Sequence, residues 1–100
     1  WLRFAGLTID LVKREAVAGG RVVALTSVDL NLLVALARTA GKPLNREQLS
    51  EAVQAGSYRP LDRTVDVQVA RLRRKLDEAS PDAEWVATVR GEGYVFVPRG

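Results

Sequence analysis

The 100-residue sequence predicts an α+β domain in which short strands come first, three helices follow and a hairpin closes the chain. Three observations carry this. Apolar residues alternate with others up to Leu25; helical periodicity, opened twice by a cap signature, runs over residues 26–77; and alternation returns over residues 85–97.

In the first stretch, Leu2 and Phe4, then Leu7, Ile9 and Leu11, then Val17, then Val23 and Leu25 recur at period two, broken by Ala5-Gly6 and by Ala18-Gly19-Gly20. Short antiparallel strands follow from this, with Gly19-Gly20 closing a two-residue hairpin. No chemistry-bearing pattern stands here, so the sheet is expected to serve packing or to dock a preceding domain.

Thr26 and Asp29 have the spacing of a capping box, flanked by Leu25 and Leu30 as a hydrophobic staple. Residues 28–40 are then apolar nearly all round, with Asn31 and Arg38 marking the wet strip, which predicts a central, mostly buried helix ended by Gly41 and Pro43. Asn45 and Gln48 repeat the cap signature between Leu44 and Leu49, opening a shorter helix over residues 46–54. The unpaired N–H groups at its start, together with Arg46, would suit a phosphate, although most capped helices bind no anion. Residues 55–60, Ala-Gly-Ser-Tyr-Arg-Pro, are too rich in Gly, Ser and Pro for regular structure, and form a link longer than the three or four residues of a tight helix-turn-helix. It either exposes Tyr58 and Arg59 for contact or only connects.

Residues 61–76 form the segment around which the rest is organised. Val65, Val69, Leu72 and Leu76 recur at i, i+4, i+7 and i+11 and make one apolar stripe. Opposite it lie Arg63, Val67, Ala70, Arg71 and Arg74; Thr64, Gln68 and Lys75 line one flank, and Asp62, Asp66, Arg73 and Asp77 the other. A solvated face explains such arginines as well as a polyanion does. Two details favour the polyanion: the acids are segregated from the outward arc except for Glu78 at its end, and Val67 and Ala70 stand among the arginines, where only an apolar partner such as a thymine methyl would reward them. Beyond Ser80-Pro81-Asp82, Trp85, Ala87 and Val89 are expected to face one way and Val86 and Thr88 the other. Arg90-Gly91-Glu92-Gly93 then turns the chain into Tyr94-Val95-Phe96-Val97. A hairpin after a helix-turn-helix is a wing, and Arg90 at its tip suits a narrow minor groove, or plain solvation.

Composition narrows the function classes. With neither cysteine nor histidine, the chain lacks disulfides, thiolate metal sites and the commonest general base, so no catalytic residue, metal or cofactor is expected and an enzyme is disfavoured. No run reaches membrane-span length and no signal peptide is visible, so a cytoplasmic domain is the default. A net charge of +3 permits polyanion binding. The absence of methionine suggests a piece of a longer chain.

Residues 62–76, Asp-Arg-Thr-Val-Asp-Val-Gln-Val-Ala-Arg-Leu-Arg-Arg-Lys-Leu, followed by Thr88-Val-Arg-Gly-Glu-Gly-Tyr94, resemble the C-terminal effector domain of the OmpR/PhoB family of bacterial two-component response regulators. Leu25-Thr26 and Asn45-Arg-Glu-Gln-Leu49 match in order and spacing, so the resemblance covers essentially the whole chain. It implies a winged helix-turn-helix: an N-terminal four-stranded antiparallel sheet, three helices and a C-terminal β-hairpin wing, forming one domain over residues 1–100 from which the receiver or other N-terminal domain is absent. It implies a sequence-specific double-stranded DNA-binding output domain that regulates transcription, binding direct repeats as a tandem dimer.

Carried over residue by residue, the resemblance places the helix at about residues 62–77 in the major groove, with Arg63, Thr64, Val67, Gln68, Arg71 and Arg74 near bases or flanking backbone. Arg71 then suits guanine O6 and N7, Gln68 adenine, and Val67 a thymine methyl. Arg46, Thr64, Lys75, Thr88 and Tyr94 are expected at phosphates, and Arg90 in the minor groove. Gln54, Ala55, Gly56, Ser57, Tyr58, Arg59, Pro60 and Leu61 correspond to the loop that meets RNA polymerase in several relatives. Two positions depart from the family pattern: Ala70 replaces a frequent basic residue and Gln54 a frequent tryptophan. The alternatives are a winged-helix scaffold for protein interaction, and the same DNA-binding domain joined to a sensor other than a receiver.

Overall fold

Turn chemistry shapes the N-terminal sheet. In a computed structural model, which describes residues 2–4, 6–53, 64–80 and 84–97, strands β1 (Leu2–Phe4), β2 (Leu7–Asp10), β3 (Glu15–Ala18) and β4 (Arg21–Val23) pair antiparallel in chain order. Gly19 and Gly20, at φ 58° and 79°, join the paired residues Ala18 and Arg21, the two-residue hairpin the sequence predicts. The β2–β3 turn is built differently. Asp10 Oδ1 accepts hydrogen bonds from the Val12 and Lys13 N–H groups, both at 3.0 Å, and Arg14 takes φ 57°.

This turn corrects one expectation. Alternation along the sequence puts Val17 on the apolar face, yet Ala16 and Ala18 are fully buried while Val17 is only half-buried. Residues directly opposite on antiparallel strands share a face. Ala16 opposes Ile9 and Ala18 opposes Leu7, so the alanines face the core, and Val17 lies with its partner Val22 on the outer side.

Helix α1 (Ser27–Arg38) starts on the predicted box: the Asp29 N–H donates to Thr26 Oγ1 at 3.2 Å, and the Thr26 N–H to Asp29 Oδ2 at 3.1 Å. Leu32, Leu33 and Leu36 are fully buried, which makes α1 the centre of the core. It ends two residues before the predicted position 40, because the Thr39 hydroxyl and N–H turn back onto the Ala35 and Leu36 carbonyls. Helix α2 (Arg46–Val53) repeats the reciprocal cap, with the Gln48 N–H to Asn45 Oδ1 at 2.8 Å and the Asn45 N–H to Gln48 Oε1 at 2.9 Å. Helix α3 (Thr64–Ala79) buries Val65, Val69, Leu72 and Leu76, the stripe read from the sequence, and runs two residues past the expected 77.

Strands β5 (Val86–Val89) and β6 (Gly93–Phe96) form the hairpin. Trp85 and Val86 are both buried, against the strict alternation expected there. Trp85 precedes the first rung, Val86 opposite Phe96, so the strand period does not govern it; its ring stacks on Phe96 with centroids 5.8 Å apart. Phe96 also meets Phe4 of β1, at 4.7 Å, joining hairpin to sheet. The hairpin is fastened to the helices by backbone. The Leu44 N–H donates to the Tyr94 carbonyl at 2.8 Å and the Tyr94 N–H to that of Leu44 at 2.9 Å, just before α2 begins. Gly93 permits this approach: it sits at φ 123°, and a Cβ there would lie 2.0 Å from the Leu44 carbonyl oxygen.

Candidate nucleic-acid interface

With the stripe buried, α3 turns its opposite arc outward. Thr64, Val67, Ala70, Arg71 and Arg74 are exposed, and Gln68 is half-buried on their flank. Val67 keeps 55% of its surface in solvent, so it belongs to the outer face and not to the core. Among the described residues, neither Arg71 nor Arg74 forms a hydrogen bond or an ion pair, and Arg90 at the hairpin tip forms none either. Three guanidinium groups thus stand on one helix face and one loop tip with no acceptor among the described residues. The tip is held by the Glu92 N–H donating to the Val89 carbonyl at 2.9 Å. Between it and the start of α2 lies a cleft of about 510 Å³, lined in part by Asn45, Arg46, Thr88, Arg90 and Tyr94.

Other residues expected at phosphates have partners inside the fold. Tyr94 donates its hydroxyl proton to Asp66 Oδ1 at 2.6 Å, and Arg46 Nε donates to the same oxygen at 2.9 Å. Burial, followed by the hydrogen bond and the charge of Asp66, raises the Tyr94 pKa above its ordinary value, so the phenol stays protonated. Thr88 is exposed, and its Oγ1 accepts from Arg73 NH1 at 3.1 Å. Lys75 is placed elsewhere than expected: its ammonium donates to Oδ2 of the fully buried Asp29, tying the end of α3 to the first turn of α1. Burial would raise the Asp29 pKa. The Lys75 hydrogen bond, the bonds from Thr26 and the Lys75 charge outweigh it, and the net shift is downward. A buried carboxylate left without a counter-charge would be strongly destabilising, and Lys75, turned inward from the flank, supplies that charge to Asp29.

Arg63 and the loop of residues 54–61 lie outside the described residues. Asp66 and Arg73, which by sequence are flanking charges only, join α3 to α2 and to the hairpin. Their spacing of seven was the available signal, since it stacks both on the same flank two turns apart.

Among the described residues no helix is long and apolar enough to cross a membrane. The family described as "Transcriptional regulatory protein, C terminal" matches residues 20–96. The transcriptional regulatory protein RstA of Escherichia coli strain K12 is 38% identical over 97 residues, which are 97% of this chain and 41% of that protein. CpxR of the same strain is 34% identical over 96 residues, again 41% of its length, so the chain spans about two-fifths of these relatives. Among solved structures, the Klebsiella pneumoniae RstA DNA-binding domain in complex with the RstA box is similar at TM-score 0.86 and 39% identity, covering 97% of this chain and 96% of that one. The DNA-binding domain of CpxR from E. coli is similar at TM-score 0.86 and 32% identity, covering 99% and 97%.

Proposed function

This chain belongs to the family of transcriptional regulatory protein C-terminal domains, and from that membership we propose that it is the sequence-specific, double-stranded DNA-binding output domain of a bacterial two-component response regulator. One observation carries the reading: Arg71, Arg74 and Arg90 are displayed on the outward face of α3 and at the wing tip without partners among the described residues. Unpaired cations on a helix and an adjoining loop suit the regularly spaced phosphates and acceptor-rich base edges of a duplex. Arg71 and Gln68 read bases in the major groove, Val67 meets a thymine methyl, and Arg74 and Thr64 lie at the groove edge. Arg90 enters the minor groove, and Arg46, at the start of α2, lies beside a phosphate. The similar RstA domain, solved in complex with its box, supports duplex DNA as the ligand.

On the same reading, the whole protein carries a receiver domain ahead of this one, two copies occupy direct repeats in tandem, and the 54–61 loop meets RNA polymerase. Duplex titrations at several salt concentrations test the core of the proposal. Each phosphate neutralised should contribute about −0.9 to the slope of log affinity against log salt. A flat response would point instead to a protein-interaction scaffold, with Val67 and Ala70 at its contact.

A further inference from the structure

Thr88 and Tyr94 form a single rung of the wing: they are directly opposed across β5 and β6, so their side chains share a face. Each end of that rung is held by α3. Asp66 Oδ1 accepts a hydrogen bond from the Tyr94 hydroxyl at 2.6 Å, and Arg73 NH1 donates to Thr88 Oγ1 at 3.1 Å. The two α3 residues are seven apart, about 10.5 Å along the helix axis. Two neighbouring hydroxyls are therefore gripped from points two turns apart, and such a grip resists both sliding of the wing along α3 and rotation about it. The Leu44 bridge to Tyr94 fixes the same rung from the α2 side.

Resting on the DNA-binding reading, we propose that Asp66 and Arg73 form a bracket that sets the separation between the base-reading face of α3 and Arg90, and that Thr88 and Tyr94 act as positioning residues through Arg90, with the Tyr94 hydroxyl proton spent on Asp66 and not on a phosphate. Three observations support this. The Tyr94 hydroxyl has one proton and it is committed to Asp66. Arg73 lies on the flank facing the wing while Arg71 and Arg74 face outward. Four residues separate Thr88 from Gly93, so fixing the rung leaves only the short tip, with Arg90 in it, to move.

The test uses Tyr94→Phe combined with Thr88→Val, which remove both hydroxyls while keeping shape and charge. In the free domain, amide exchange of Glu92 and Tyr94 should quicken by roughly three- to tenfold, while that of Leu36 in α1 stays unchanged and reports an intact fold. On a duplex selected from a random pool, the double variant should bind roughly three- to tenfold more weakly than the natural chain. In an Arg90→Ala background, the same two substitutions should change affinity by less than about twofold, because a bracket without its arginine has nothing to deliver. Additive losses would overturn the positioning role and return the hydroxyls to the phosphates. Unchanged wing exchange would overturn the bracket itself. A natural chain that binds duplexes without salt dependence would overturn the functional reading, and the delivery role with it, while the exchange measurement would still decide whether the bracket exists.

Discussion

At the scale of single residues, charge alone does not assign a role; the partner does. Arg71 and Lys75 stand on the same helix and both looked cationic and available in the sequence. Arg71 has no acceptor among the described residues, whereas Lys75 is drawn onto the buried Asp29. Arg71→Ala should therefore weaken the specific duplex by about 1–3 kcal/mol and relax discrimination at one base position, with far less effect on random DNA. Equal losses on both duplexes, measured by titration, would remove Arg71 from base reading. Lys75 matters to stability instead. Because the folded Asp29 pKa is depressed, its contribution is fully present above the titration range of an unfolded aspartate, about pH 4, and is lost as the pH falls through the lower folded value. The melting temperature should fall steeply below about pH 4, and Asp29→Asn should lower it at pH 7 while flattening its acid limb. An Asp29→Asn profile parallel to the natural one would show that the pair does not govern acid stability. The outward place of Arg71 was legible in the sequence, but the Asp29–Lys75 contact was not, because it spans 46 positions and has no local spacing signal.

Elements were far more legible than contacts, since local rules write them. The Thr26–Asp29 and Asn45–Gln48 boxes, the Gly19-Gly20 turn and the i, i+4, i+7, i+11 stripe of α3 each appear where residue spacing places them. Misreadings arose where non-local pairing overrode the pattern. Val17 looked like the core residue of β3 until the register with β2 turned Ala16 and Ala18 inward. Trp85 looked like part of an alternating strand but lies ahead of the ladder, packed on Phe96. The wing depends on one such non-local contact. Gly93 combines φ 123° with a carbonyl oxygen where its Cβ would be, so Gly93→Ala must either strain the backbone or part β6 from Leu44. A loss of at least about 2 kcal/mol is expected, or roughly 8–16 °C in melting temperature for a domain of this size. A shift under about 2 °C would show that the wing is not seated on Leu44.

Across the whole molecule, the side formed by α3 and the wing carries Arg71, Arg74 and Arg90, which have no partner among the described residues, while Val12 in the β2–β3 turn and Val22 on the outer side of the sheet stand in solvent. A net charge of +3 is modest, so the reading rests on where the cations stand and not on how many there are. That distribution was partly visible beforehand, because the helical wheel separated arc from stripe. The relation of the wing to α3 was not, since it passes through Asp66 and Arg73, which looked like ordinary flanking charges. The most direct test of the central claim is a map of backbone amide shifts as a selected duplex is titrated into the labelled domain. Perturbations should gather on Val67, Gln68, Arg71, Arg74 and Arg90 and leave Val12 and Val22 unmoved; shifts concentrated on the sheet, with α3 and the wing tip silent, would contradict the account.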